Sequence, residues 1–144
     1  MTQEKGQLLP YRRRIGLLTP GERRFFHDGL KPAVGEQFLI SFKVRLADVI
    51  TVDDWGSSFG RKIAQKHVDF VLVTPKQTRI TAVIELNDAT HLDDQRKNRD
   101  EFLSDALQAA GIPFIVFPVY RQYNSSKIRQ RILDTIARNR RRIG

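Results

Sequence analysis

Apolar positions along the chain change their period several times, and each change marks an element. Leu17-Leu18-Thr19-Pro20-Gly21-Glu22 predicts a helix start, with Thr19 as N-cap, Pro20 at the first helical position and Glu22 three residues after the cap. Phe25, Phe26 and Leu30 then supply its apolar face. Gly29 and Pro32 limit its length, Pro32 by disfavouring helical backbone at Lys31. Phe38 to Arg45 has the aromatic and β-branched content of a strand, with Lys43 and Arg45 alternating against Phe42 and Val44. Thr51 to Gly60 loses all periodicity and is rich in turn formers, which predicts an irregular, mobile loop. Trp55 and Phe59 in that loop are expected to cover the edge of the core.

Val68 to Val73 is apolar on both faces except at Asp69, the pattern of a buried strand. After the turn formers Pro75 to Thr78, Ile80 to Asn87 makes a second buried strand within hairpin distance. Asp93 or Asp94 caps a helix running to Ala110, with Phe102, Leu103, Ala106 and Leu107 on one stripe and Gly111 and Pro113 beyond its end. Phe114 to Phe117 is a further strand, and Ser125 or Ser126 caps a last helix with Ile128, Ile132 and Ile136 a turn apart. The order is α-β-β-β-α-β-α, an α/β fold with a mixed central sheet and helices on its faces.

The chain has 144 residues, enough for one core. The absence of cysteine excludes disulfides, a thiolate nucleophile and cysteine metal sites. No apolar run approaches the roughly 18 residues of a membrane span, and the first residues lack the apolar middle of a secretory signal. A cytoplasmic protein without membrane contact is expected.

Twenty-five Lys and Arg stand against 16 Asp and Glu, a net charge of +9. The excess is confined to the ends: residues 1–14 carry +3 and 127–144 carry +6, while 15–126 have 14 of each sign. Three segments are expected: a basic N-terminal arm (1–16), an α/β domain (17–126) and a basic C-terminal helix and tail (127–144). Clustered cations of this kind suit phosphate backbones, so nucleic acid, DNA first, is the expected partner. Arg12, Arg13 and Arg14 in one arm and Arg138, Arg140, Arg141 and Arg142 in the other are its candidate contacts. A solvated surface is the plainer alternative.

An ionised acid within an apolar strand is costly unless paired, hydrogen-bonded or bound to metal. A hairpin centred near residue 77 sets Asp69 opposite Glu85, where cross-strand Cβ atoms are about 4.5–5.5 Å apart. Asn87 points to the same face. Both carboxylates are then placed to bind one Mg²⁺ or Mn²⁺, which polarises a phosphodiester and generates hydroxide. The alternative is that both are strand-end residues paired with Lys66 or an arginine. Arg96, Lys97 and Arg99, near the start of the following helix, are within reach of a phosphate bound there; Asp93, Asp94 or Asp100 are the competing partners. If the isoleucines of the last helix instead face outward, the domain is an interaction module.

Asp69, Glu85-Leu86-Asn87 and the element order resemble the PD-(D/E)xK, restriction-endonuclease-like nucleases. Leu17 to Phe26, Lys66 to Leu72, Ile84 to His91, Arg99-Asp100 and Ala109 to Pro113 resemble more closely the domain-of-unknown-function family 2726, near the very-short-patch-repair endonucleases. The resemblance implies a restriction-endonuclease-like α-β-β-β-α-β core and a Mg²⁺-dependent DNA endonuclease. Asp69 and Glu85 would be metal ligands, and Glu22 would match the acid of the first helix, in competition with its capping role. Asn87 occupies the place where most active members of the superfamily have lysine. Lys66 and Lys97 are candidate replacements by chain proximity. His91 would bind metal or act as a base. A nuclease-fold module that binds DNA or RNA through its basic arms without cleaving is the rival expectation.

Overall fold

The computed structural model describes residues 8–87 and 94–143, with the backbone alone for 94–100 and Ile143. The first helix opens on a reciprocal cap. The Glu22 N–H donates to Thr19 Oγ1 at 3.2 Å, and the Thr19 N–H donates to Glu22 Oε1 at 2.9 Å. This starts α1 (Pro20–Arg24), but neither Gly29 nor Pro32 ends the helix. It continues through a π-helical segment, Phe25–Leu30, into α2 (Lys31–Val34), and stops at Gly35, whose φ of 53° is left-handed. The Lys31 N–H donates to Phe26 O, five residues back. The wider turn accommodates a proline whose ring and missing N–H would break an α ladder. Gly29 serves packing rather than termination. A Cβ there would lie 2.7 Å from Ile128 Cδ1 and 3.1 Å from Tyr123 Cβ, so the bare backbone lets the last helix approach.

Four strands form one mixed sheet in the order β1 (Leu39–Arg45), β2 (His67–Val73), β3 (Ile80–Asn87) and β4 (Phe114–Pro118). The first two pairings are antiparallel and β3 with β4 is parallel. A parallel pair needs a crossover, and α5 (Asp94–Ala109) provides it.

Two short helices lie between β1 and β2: α3 (Leu46–Val49) precedes the expected loop, which is irregular over 51–57, and α4 (Ser58–Ala64) replaces its last residues. Ser57 caps α4 by accepting the Gly60 N–H at 3.2 Å. Helices this short show too little period to be read from sequence. Trp55 and Phe59, expected to cover the core edge, are 44% and 69% exposed. Leu46, Val49 and Ile63 seal that side instead.

Apolar side chains fill both faces of the sheet. On one, Phe25 and Leu30 meet Phe70, Ile84 and Phe117 together with Ile128, Ile132 and Ile136 of α6 (Ser125–Ile143). Those isoleucines are therefore buried in their own core, which removes the reading of α6 as a partner-binding helix. On the other face, Val68, Val71 and Val83 pack under α3, α4 and the Leu103 and Leu107 stripe of α5. No described helix is long and apolar enough to cross a membrane.

Candidate active site

The alternation of β1 and β2 reverses at one place, and the charged residues sit there. Ile40 and Phe42 face the α1 and α6 layer, yet Val44 faces the opposite layer. In β2, Phe70 and Leu72 face the first layer and Val68 the second. The register is the same on both sides of the switch, Phe42↔Phe70 and then Val44↔Val68. Lys43 and Asp69 therefore occupy the reversal point in neighbouring strands. Lys43 has a φ of 51°, which costs a side-chain-bearing residue about 1–2 kcal/mol. Irregularities of this kind re-aim a side chain out of a regular sheet.

Here the Lys43 ammonium points at acids. It bonds to Glu22 Oε2 on α1 and lies 3.6 Å from Asp69 Oδ1. Glu22 therefore closes the capping box with one oxygen, as the sequence reading expected, and with the other holds a lysine that the sequence reading did not anticipate.

The pairing of Asp69 with Glu85 follows the expected register. The β2–β3 ladder passes through Leu72↔Ala82 to Phe70↔Ile84. Immediately beyond it, carboxylates take the backbone donors: the Asp69 N–H donates to Glu85 Oε2 and the Leu86 N–H to Asp69 Oδ2, both at 3.0 Å. Glu85 and Glu22 are 6% and 7% exposed, the two buried charged residues among those described. Burial opposes ionisation of Asp69, but hydrogen bonding to Glu85, the Leu86 N–H and the Lys43 charge outweigh it and hold its carboxyl below the ordinary value. Burial likewise lowers the Lys43 pKa, yet its bond to Glu22 and the charges of Asp69 and Glu22 raise it above normal. Lys43 is thus a firm cation rather than a proton acceptor at neutral pH.

Sequence reasoning missed Lys43 and favoured other lysines. The Lys66 ammonium stands 5.1 Å from the Phe102 ring centroid, on the α5 side. Lys97 lies on α5 with Arg96 and Arg99, and their side chains, like all of His91, fall outside the described residues. Asn87 ends β3, where its carbonyl accepts the Val119 N–H at 3.2 Å. Arg12, Arg13 and Arg14 are exposed and precede the Thr19 cap by a few residues in the chain. Arg138 and Arg142 lie elsewhere. They line a cleft with Ile112, Pro113 and Phe114, and Asn139 bonds to Gly111 O. The tail therefore lies near the start of β4, whereas Glu85 and Asn87 pair with Val116 and Pro118 towards its end.

Among the described residues no group of three or more His, Asp or Glu is arranged to hold a metal ion. The available donors are the two carboxylates of Asp69 and Glu85, each oriented at one oxygen by a backbone N–H. That set fits Mg²⁺ or Mn²⁺ bound in the water-rich manner, through one or two carboxylates with water and phosphate oxygens as the rest. It does not fit a closed protein cage.

A family model described as "Protein of unknown function (DUF2726)" matches residues 14–136, a span that contains every element from α1 to β4. No curated protein and no solved structure matches the chain.

Proposed function

We propose that this chain, which belongs to the DUF2726 family, is a metal-dependent DNA endonuclease with a restriction-endonuclease-like core, hydrolysing phosphodiesters at Asp69 and Glu85. The observation that carries the reading is the row of Lys43, Asp69 and Glu85 across three consecutive strands, with Glu22 closing it from α1. Perturbed, clustered titratable groups of this kind are characteristic of functional sites.

Asp69 and Glu85 would hold Mg²⁺ or Mn²⁺. The ion supplies charge neutralisation at the phosphate and a water of lowered pKa. In the hydrolysis the water oxygen bonds to phosphorus as the bond from phosphorus to the leaving deoxyribose oxygen breaks; the proton lost by the water passes to solvent, and the deoxyribose oxygen takes one from solvent to leave as the hydroxyl. Lys43, held charged, stabilises negative charge developing on the phosphate oxygens and takes the part that Asn87 cannot. Glu22 positions Lys43. The arginines before α1 bring the backbone to this side of the sheet, while Arg138 to Arg142 bind it further away.

The test is cleavage of single-stranded, duplex and branched DNA with Mg²⁺ and Mn²⁺, beside Asp69→Asn and Glu85→Gln. One observation favours a second reading, that of a nuclease-fold module which binds nucleic acid without cleaving. The Lys43 ammonium already neutralises Glu22 and faces Asp69, so the cluster is satisfied without a metal. That reading predicts salt-dependent binding and no cleavage under either ion.

A further inference from the structure

A second feature lies one strand over from the acids and outside every residue assigned so far. Pro118 pairs with Asn87 at the end of β4, and the chain then turns through Val119 to Asn124 into α6. This turn and the first part of α6 enclose an open cleft of about 330 Å³. Its lining includes Phe117, Tyr120, Tyr123, Lys127 and Arg131 and contains no acidic residue. Its two cations belong to the basic 127–144 segment, and no acid in the lining offsets them.

The aromatic side chains differ in how they are held. Tyr123 is half-buried: its ring edge meets Phe25 with centroids 5.3 Å apart, and its hydroxyl accepts the Tyr120 N–H at 2.9 Å. Tyr120 is 57% exposed, with its ring 6.0 Å from that of Tyr123. Its backbone N–H is thus tied while the residue remains largely exposed. The Arg131 guanidinium lies 4.7 Å from the Phe117 ring centroid, fixed over the floor of the cleft. An exposed aromatic on a tied backbone, lining one cleft with two cations, suits a base on the ring and a phosphate on the cations. A base inside a duplex has no free face to offer, so the ligand is a nucleotide that is unpaired.

We infer that this cleft is a subsite for a single-stranded or unpaired nucleotide of the bound DNA, with Tyr120 stacking on its base and Lys127 and Arg131 holding its phosphate. The inference rests on the nuclease reading and narrows its substrate class to single-stranded or branched DNA. The experiment is fluorescence anisotropy of the full chain, in EDTA, with a labelled oligothymidylate and with a duplex of equal length. Tyr120→Ala should weaken single-strand binding about 5- to 150-fold, the range for one lost stacking contact, and leave duplex affinity within about twofold. Tyr120→Phe should bind like the wild type, and Lys127→Ala should reduce the salt slope for the single strand by about 0.7. If Tyr120→Ala binds the single strand unchanged, or loses duplex binding equally, the subsite is wrong. Metal-dependent cleavage surviving in that same protein would leave the nuclease reading standing. If neither oligonucleotide binds the wild type and none is cleaved, both fall.

Discussion

Replacing Lys43 separates the charge it supplies from the backbone it strains. Lys43→Ala removes the ammonium from Glu22 and Asp69 but keeps a side chain at a φ of 51°. Breaking a fully buried pair costs about 3–5 kcal/mol. The Lys43 side chain is 36% exposed against 9% for Glu22, so solvent screening brings the expected loss to about 1–2 kcal/mol. Lys43→Gly loses the same charge but also relieves the left-handed backbone, which is worth about 1 kcal/mol. Glycine should therefore be the more stable variant by about 1 kcal/mol, although in an ordinary strand it is the less stable by about 0.5–1 kcal/mol. In urea, with a slope of about 1–3 kcal/mol/M, Ala should lower the midpoint by about 0.3–2 M and Gly by less. A glycine variant less stable than the alanine variant would refute the strained-lysine account. Wild-type stability in both variants would refute the charge cluster.

Acid should expose Asp69. Its folded pKa lies below the ordinary 3.8, so its contribution is present above that value and fades as pH falls from about 3.8 through the folded value; Asp69→Asn should flatten this limb of the urea midpoint, and an unchanged limb would count against the assignment. Gly29→Ala places a Cβ 2.7 Å from Ile128 Cδ1 and should cost about 1–3 kcal/mol despite the better helix former, with partial recovery in Gly29→Ala/Ile128→Val measured by thermal melting. Thr19→Ala removes the hydroxyl that accepts the Glu22 N–H and should cost about 1 kcal/mol by denaturation; no loss would mean that this cap does not stabilise α1. Arg138→Ala with Arg142→Ala should lower the salt slope of DNA binding by about 1 per lost phosphate contact without slowing single-turnover cleavage at saturation, because both lie near the start of β4.

Which features were legible depended on how local their causes are. The register that sets Asp69 against Glu85 follows from a short turn, so residue numbers alone place the pair. Lys43 was hidden because β1 and β2 are joined through residues 46–66, which hold two helices, and no turn chemistry fixes a register across such a connection. In the linear pattern it is simply a polar residue on a half-buried strand. Pro32 and Gly29 read as stops because local rules treat them so. A π turn and the approach of Ile128 gave them other uses. The arginines of α6 looked like an arm because they are contiguous, yet the helix carries Arg138 and Arg142 away from the acids along its own axis. Glu22 was ambiguous for a sound reason: its two oxygens do two jobs.

The central claim is that the acids on β2 and β3 perform hydrolysis. It is tested most directly by cleavage of single-stranded, duplex and branched DNA in Mg²⁺ and Mn²⁺ by the wild type, Asp69→Asn and Glu85→Gln. The account predicts metal-dependent cleavage by the wild type and its loss in both variants. Cleavage that persists unchanged in either variant, or none by the wild type with either ion, would contradict it.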